Sequence, residues 1–259
     1  MSPADSVIPL VGVDDGGNPE LIGSGVFLNI GDRKFILSAT HVFTDNKETT
    51  IYVDGSGSLN ELSGTRYGAD RDKEDITFME IDKDTSDLIS TTYGSLPIAL
   101  VEMSDTTAEG EIYSLTGYSQ DRQQAKPNER KFITQRSAYN GTASRDRSYR
   151  KCHVSSDSHI VIDISKNCAR TDDGNIVVPP TLHCMSGGAV WKKVAEGAPG
   201  IPGVRLVGIT IEKHDLIGAA VATRINFVIE AIRQKFPELS NLIPRSRTLD
   251  VTVKEKTGG

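Results

Sequence analysis

Residues 181–190 read TLHCMSGGAV, in which a serine is followed by two glycines and an apolar run. This arrangement is typical of an exposed nucleophile on a tight turn. Glycines after the serine allow backbone geometries closed to other residues, and they let a substrate carbonyl approach main-chain N–H groups, as acyl transfer requires. Ser186 is therefore a candidate nucleophile. The same tripeptide also occurs in ordinary turns, so partners elsewhere in the chain must distinguish catalysis from a structural role.

A serine nucleophile needs a base that removes its proton and a carboxylate that holds the base in the correct tautomer. His41 is a suitable base because it follows directly on the buried strand predicted at residues 34–39. Asp75 is a suitable carboxylate because it immediately precedes the apolar strand predicted at residues 76–81. The chain therefore offers His41, Asp75 and Ser186 as one candidate constellation.

Short apolar and β-branched segments separated by glycine, serine and aspartate clusters recur along the chain, as in an all-β barrel or sandwich. Strands are predicted at residues 7–13, 21–30, 34–39, 50–53, 76–81, 97–101, 111–118, 131–137, 159–164, 188–194, 204–212 and 218–223. Helical periodicity appears only near the C-terminus, over about residues 224–237. The pattern predicts one barrel over about residues 6–95 and a second over about residues 96–223.

The composition narrows the class of protein. The chain has 259 residues, of which 37% are hydrophobic and 25% charged, and no apolar run is long enough to cross a bilayer. A net charge of -6 argues against a general nucleic-acid binder, which normally carries a basic excess. The N-terminal residues lack the basic and apolar regions of a secretory signal, which predicts a cytoplasmic location.

Three cysteines, at positions 152, 168 and 184, are an odd and low count that favours a reducing compartment. A single bridge between Cys168 and Cys184 stays open as an alternative. A zinc site that adds His153 and His183 to these cysteines is disfavoured, because adjacent residues on a strand point to opposite faces and no Cys-x-x-Cys spacing occurs. The sequence predicts no metal and no other cofactor.

Three segments are polar. Residues 121–130 and 139–151 are arginine-rich and turn-rich, which predicts surface loops, and the acidic chain as a whole disfavours the alternative of an anion site there. Residues 244–259 end in glycines and are expected to form a loosely held tail.

Four motifs together resemble the trypsin-like (chymotrypsin-fold) serine peptidases, in their bacterial intracellular type. They are GSGVF at residues 23–27, LSATHV at residues 37–42, Asp75-Ile76, and MSGGAV at residues 185–190. The order histidine, aspartate, serine matches that family. The resemblance covers about residues 6–236.

The resemblance implies two antiparallel six-stranded β-barrels and a C-terminal α-helix, which together form a peptidase domain over residues 1–243. It implies a serine endopeptidase in which Ser186 forms the acyl-enzyme, His41 acts as general base and then acid, and Asp75 orients His41. The expected partners are a protein or peptide substrate and a protein activator or regulatory partner. Nucleic acid and membrane are not expected.

The resemblance also assigns the oxyanion hole to the backbone N–H groups of Cys184 and Ser186. Cys184 stands where the family usually has glycine, and its Cβ restricts the backbone. Our hypothesis is that the hole is either formed at some strain or misformed at rest, with the Cys184 carbonyl turned inward until substrate or a partner corrects it. Cys184 as the nucleophile is the weaker alternative, because the two glycines follow Ser186 and a thiol would need its own base.

Specificity residues follow from the same resemblance. Thr181 is expected on the wall of the primary pocket, with Thr210, Ile211 and Glu212 on the opposing strand. Glu212 either favours a basic substrate residue or points to solvent, and strand alternation leaves both open. The alternative function is a catalytically silent or partner-gated module that keeps the fold and loses the oxyanion hole, since a fold alone does not assure activity.

Overall fold

The computed structural model describes residues 2–14, 16–69, 73–103, 106–126, 131–170, 176–177, 184–194, 203–244 and 254–256. Its first part contains strands β1 (Val7–Val13), β2 (Pro19–Ile30), β3 (Arg33–Ala39), β4 (Tyr52–Gly55), β5 (Ser58–Glu61), β6 (Gly64–Gly68), β7 (Ile76–Ile81) and β8 (Leu96–Pro97), and helices α1 (Thr40–Thr44) and α2 (Lys83–Ser90). Its second part contains strands β9 (Ile112–Tyr118), β10 (Gln124–Lys126), β11 (Lys131–Ile133), β12 (Arg136–Ala143), β13 (His159–Arg170), β14 (Ile176–Val177), β15 (Ala189–Lys193), β16 (Val204–His214) and β17 (Ala219–Arg224), and helices α3 (Asp146–Cys152) and α4 (Ile225–Lys235). Strand β18 (Lys254–Lys256) follows later in the chain and pairs with β6 of the first part.

The second part forms a closed barrel of six strands. The strand order is β12-β9-β15-β16-β17-β13, and antiparallel pairing of β12 with β13 closes the ring. Alternate residues of these strands point inward, so that Tyr113, Leu115, Tyr139, Ile160 and Ile162 are buried in one apolar cluster. Closure leaves the six strands without a free edge along the paired residues.

The first part is an open half-barrel. Its strand order is β18-β6-β7-β3-β2-β1-β4-β5, with β8 parallel to β2, and no pairing between described residues joins the two ends. The β4–β5 hairpin meets β1 through the single residue pair Val11 and Tyr52, so the pairing stops before the sheet curls round on itself. The predicted all-β, two-barrel class with a C-terminal helix is confirmed, with the first barrel open in its strand pairing.

One apolar core lies between the two sheets and beneath α4. It joins Val26, Leu37 and Phe78 of the first sheet to Leu206 and Ile209 of β16. The apolar positions of α4 recur at three- and four-residue steps, which places them on one face against this core. The helix ends at Lys235, slightly before the expected position, because Pro237 follows and cannot donate to a continuing helix.

Several local predictions were wrong. Residues 139–151 are not a surface loop but the end of β12 followed by α3, and Tyr139 is fully buried. This strand consists mostly of small and polar residues, so its pairing with β9 and β13, rather than its composition, makes it a strand. Residues 98–100 form a 3₁₀ turn instead of a strand. Helix α2 was not predicted; its N-terminus is capped by Asp82, which accepts a hydrogen bond from the Thr85 N–H at 2.7 Å.

Candidate active site

His41 lies in the first turn of α1, directly after β3. Strand β3 pairs with β7 so that Ala39 is opposite Ile76, and this register brings the residue before β7, Asp75, beside His41. The Asp75 Oδ1 accepts a hydrogen bond from the His41 backbone N–H at 3.0 Å, and its Oδ2 lies 2.6 Å from His41 Nδ1. The Asp75 carbonyl also accepts from the Thr40 N–H at 3.1 Å.

Asp75 is buried and has a left-handed backbone, with a φ of 47°. A carboxylate can only accept hydrogen bonds, so its contact with Nδ1 places the proton of the neutral imidazole on that nitrogen. Nε2 of His41 is then the acceptor that a general base requires. The pair therefore has the orientation and tautomer needed to take a proton from a neighbouring hydroxyl.

Ser186 lies on a turn that precedes β15, and β16 holds this turn in place. The Gly187 N–H donates to the Thr210 carbonyl at 2.7 Å, and the Thr210 N–H donates to the Gly188 carbonyl at 2.8 Å. Gly187 has a φ of 85°, and a Cβ there would lie 2.0 Å from the Ser24 carbonyl oxygen. Only glycine fits this position, which gives the first glycine after the serine a structural reason.

The Ser186 hydroxyl donates to the Ile211 carbonyl at 3.2 Å. Among the hydrogen bonds between described residues, none joins Ser186 Oγ to the His41 ring. Both side chains nevertheless line one cleft of about 270 Å³. The cleft residues are Glu20, Leu21, Ile22, His41, Val42, Asp45, Asn46, Gln120, Cys184 and Ser186.

Cys184 has a φ of 68°, a left-handed conformation that a residue with a Cβ rarely adopts. Its carbonyl accepts a hydrogen bond from Ser24 Oγ at 3.1 Å, and its thiol donates to the Leu21 carbonyl at 3.2 Å. Because Ser24 is fully buried, the Cys184 carbonyl is directed into the protein and not into the cleft. The sequence left open a resting arrangement in which the Cys184 carbonyl points into the oxyanion hole. In this structure the carbonyl instead points away from the cleft, toward Ser24.

The Cys184 thiol is free, and its chemistry does not suit a nucleophile. Burial, reinforced by the nearby carboxylates of Glu20 and Asp121, raises the pKa of this thiol to about 11. The reactive form of cysteine is the thiolate, which is scarce at neutral pH when the pKa is this high.

The described residues contain no group of three or more histidine, cysteine, aspartate or glutamate side chains that could hold a metal ion.

The structure places three of the four expected specificity residues on β16. Thr210 is buried, and its backbone holds the Ser186 turn. Ile211 is also buried and packs in an apolar cluster with Tyr149 and Cys152. Glu212 is exposed, with its Oε2 at 3.1 Å from His214 Nε2. The fourth, Thr181, lies outside the described residues, as does His183.

Sequence reasoning missed Ser24 as part of the site. Its backbone N–H donates to the Ser186 carbonyl at 2.8 Å, in addition to the bond from its hydroxyl to the Cys184 carbonyl. The available signal was the GSG motif at residues 23–25, which places a small polar residue between two glycines inside an apolar strand. Such a residue is buried only when its polar groups find partners.

No protein-family model matches the chain, and no curated protein sequence matches it. Among solved structures, the serine protease domain of the Sesbania mosaic virus polyprotein is 14% identical, with a TM-score of 0.48 over 88% of this chain and 91% of that chain. The tobacco vein mottling virus protease is 12% identical, with a TM-score of 0.45 over 85% and 77%. The MamO protease domain from Magnetospirillum magneticum is 12% identical, with a TM-score of 0.47 over 88% and 96%.

No helix within the described residues is long and apolar enough to cross a membrane.

The structure combines an open first sheet, a closed six-stranded second barrel and a C-terminal helix, and the candidate site lies where the sheet and the barrel meet. This architecture is the trypsin-like (chymotrypsin) fold.

Proposed function

We propose that the chain is a serine endopeptidase that hydrolyses peptide bonds through an acyl-enzyme on Ser186. The observation that carries this proposal is the double contact between Asp75 and His41, with Ser186 on the same cleft. A buried carboxylate that binds both the backbone N–H and the Nδ1 of a histidine fixes the ring and leaves Nε2 as the acceptor that a general base needs. His41 and Ser186 are far apart in the chain, and the tertiary structure brings both side chains onto this one cleft.

In the proposed reaction, the Ser186 hydroxyl leaves the Ile211 carbonyl and turns toward His41 Nε2. The imidazole takes the hydroxyl proton as Oγ attacks the substrate carbonyl, and Asp75 stabilises the resulting imidazolium. The N–H groups of Cys184 and Ser186 stabilise the oxyanion. His41 then gives its proton to the leaving amine, and water attacks the acyl-enzyme by the reverse steps.

The proposed substrate is a protein or peptide. Thr181, Thr210, Ile211 and Glu212 are the proposed residues of the primary specificity pocket. The Ile211 carbonyl, which binds the Ser186 hydroxyl at rest, becomes free to accept a substrate N–H once the hydroxyl turns away. The proposed location is the cytoplasm, on the basis of the low and odd cysteine count.

A second candidate function is a silent or partner-gated module. It is favoured by the direction of the Ser186 hydroxyl, which donates to Ile211 and not to the general base. A partner that competes for the Ile211 carbonyl would release this hydroxyl, so gating and catalysis use the same contact.

A fluorophosphonate probe distinguishes the two functions because it reacts only with an activated serine. We expect the wild-type protein to be labelled, Ser186→Ala to lose all labelling, and His41→Ala to lose most of it. Ser58→Ala removes a serine outside the cleft and is the control that keeps full labelling. A folded wild-type protein that stays unlabelled would support the silent module.

A further inference from the structure

The hydroxyl of Ser24 contacts the residue at which the proposed oxyanion hole is strained. Ser24 lies on β2 with none of its surface exposed. It binds the carbonyl of Cys184 through its hydroxyl at 3.1 Å and the carbonyl of Ser186 through its N–H at 2.8 Å. The proposed donors are the N–H groups of these same two residues, so one residue fixes the backbone at both ends of the hole.

Ser24 is itself held by both halves of the molecule. Its Oγ accepts a hydrogen bond from the Tyr118 N–H of β9 at 2.9 Å, and its carbonyl accepts from Ser38 Oγ of β3 at 2.7 Å. A serine hydroxyl has one proton to donate. The Tyr118 N–H occupies an acceptor position of this hydroxyl, and the proton is directed to the Cys184 carbonyl.

Cys184 needs such an anchor because its left-handed backbone is disfavoured for a residue with a Cβ. Glycine adopts this conformation without a steric penalty, and a cysteine reverts to a right-handed or extended backbone when nothing holds it. The anchors seen here are the hydroxyl of Ser24 on its carbonyl and the Leu21 carbonyl on its thiol, both from β2.

We propose that Ser24 is a positioning residue whose hydroxyl keeps Cys184 left-handed, and so maintains the oxyanion hole without a glycine. This rests on the proposed function. It makes a specific claim beyond that function, namely that the need for Ser24 depends on the Cβ of residue 184.

The test is a double-mutant cycle of Ser24→Ala and Cys184→Gly, read as the rate at which a fluorophosphonate labels Ser186. Complete loss of one oxyanion-hole donor costs about 10²–10³ in rate. Ser24→Ala should misplace the Cys184 N–H for part of the time, so we expect it to slow labelling by about 10-fold or more. In the Cys184→Gly background the same change should cost less than about 3-fold, because residues in contact are not additive. Equal slowing in both backgrounds, or no slowing in either, would overturn the proposal.

Two further variants separate this effect from general damage to the core. Ser24→Cys keeps nearly the same shape with a weaker donor, and should fold and slow labelling when the alanine variant is unstable. Ser144→Ala removes a buried hydroxyl that donates to Asp163 at 2.6 Å outside the cleft. It should lower the melting temperature without slowing the labelling of Ser186, and comparable slowing would assign the Ser24 effect to stability alone.

A second readout does not need activity. Alkylation of the Cys184 thiol, followed by mass spectrometry of its peptide, should accelerate at least several-fold in Ser24→Ala because the segment is released, while the buried Cys152 serves as internal reference. If the wild type is never labelled by the probe but this acceleration is seen, the proposed function fails and the anchoring role stands. If the wild type is labelled and Ser24→Ala changes neither readout, the anchoring role fails and the proposed function stands.

Discussion

Asp75 accepts two hydrogen bonds from His41, one from the backbone N–H at 3.0 Å and one from the ring Nδ1 at 2.6 Å. The first contact fixes where the residue lies, and the second fixes how its ring is turned. Together they place Nε2 of His41 on the cleft that Ser186 also lines. The chemistry proposed for this chain depends on that orientation.

Replacing the carboxylate tests the orientation directly. In Asp75→Asn the side chain keeps its shape but can donate through its NH₂ group, which favours the tautomer with the proton on Nε2 of His41. We expect turnover of a peptide substrate to fall by about 10⁴ without unfolding. The control is Glu80→Gln on β7, the strand that follows Asp75; the Glu80 carboxylate pairs with Arg33 at 2.9 Å outside the cleft. A modest loss in Asp75→Asn, equal to that of the control, would contradict the role of Asp75.

The three residues should behave as one unit. Ser186→Ala and His41→Ala should each lower turnover by about 10⁴ or more, and the double variant should be little worse than either single variant. The reason is that the base has nothing to activate once the hydroxyl is gone. Steady-state kinetics on the four proteins measures this, and losses that multiply in the double variant would show that the two residues act independently.

Gly187 should contribute strongly to the stability of the turn that carries Ser186. A Cβ there would lie 2.0 Å from the Ser24 carbonyl oxygen and 2.1 Å from Ser38 Oγ, on a backbone with a φ of 85°. We expect Gly187→Ala to lower the free energy of unfolding by at least about 2 kcal/mol in urea titrations. The matched control is Gly57→Ala, which has a similar φ of 76° and no atom within 4 Å of the added Cβ. It carries only the backbone penalty, about 1 kcal/mol, so equal losses in the two variants would contradict the steric argument.

The Cys184 thiol should titrate late. Because burial raises its pKa to about 11, the folded state favours the neutral thiol, and the thiolate fraction should still be rising between pH 9 and pH 11. The rate of iodoacetamide alkylation at Cys184 should rise across that range, whereas a short peptide thiol levels off once it passes its own pKa of about 8.5. A plateau at or below pH 9 would show that the thiol is not held as described.

The same shift makes Cys184 a source of pH-dependent stability. A raised pKa in the folded state stabilises the protein below the pKa of the unfolded thiol, and this contribution is lost as the pH rises toward 11. Cys184→Ala should therefore lose less stability than the wild type between pH 8 and pH 11, as measured by thermal unfolding. It should still allow the probe to label Ser186, at a rate lowered by loss of the bond from the thiol to the Leu21 carbonyl, and loss of all labelling would favour the thiol as nucleophile.

Local residue patterns predict much of the secondary structure. Strands β1 and β7 were predicted to the residue, because each is a short, nearly continuous run of apolar and β-branched residues, a pattern typical of a strand buried on both faces. The same local logic selected His41 at a strand end and Asp75 before a strand. Helix α4 was visible from its apolar spacing.

What depended on tertiary structure was any feature made by residues far apart in the chain. The β12–β13 pairing that closes the second barrel joins a strand with a clear apolar pattern, β13, to one made mostly of small and polar residues, β12. Ser24 and Cys184 are 160 positions apart, and their contact follows from how β2 lies against the Ser186 turn.

The direction of the Ser186 hydroxyl also depends on residues that are far apart in the chain. It is set by the carbonyl of Ile211, 25 residues away on a neighbouring strand. Sequence alone therefore determined which residue types lie on which strands and turns, since periodicity and backbone preferences act over a few residues. Only the folded chain decided which hydroxyl meets which carbonyl, because hydrogen bonds of about 3 Å depend on strand register and on the packing of two sheets.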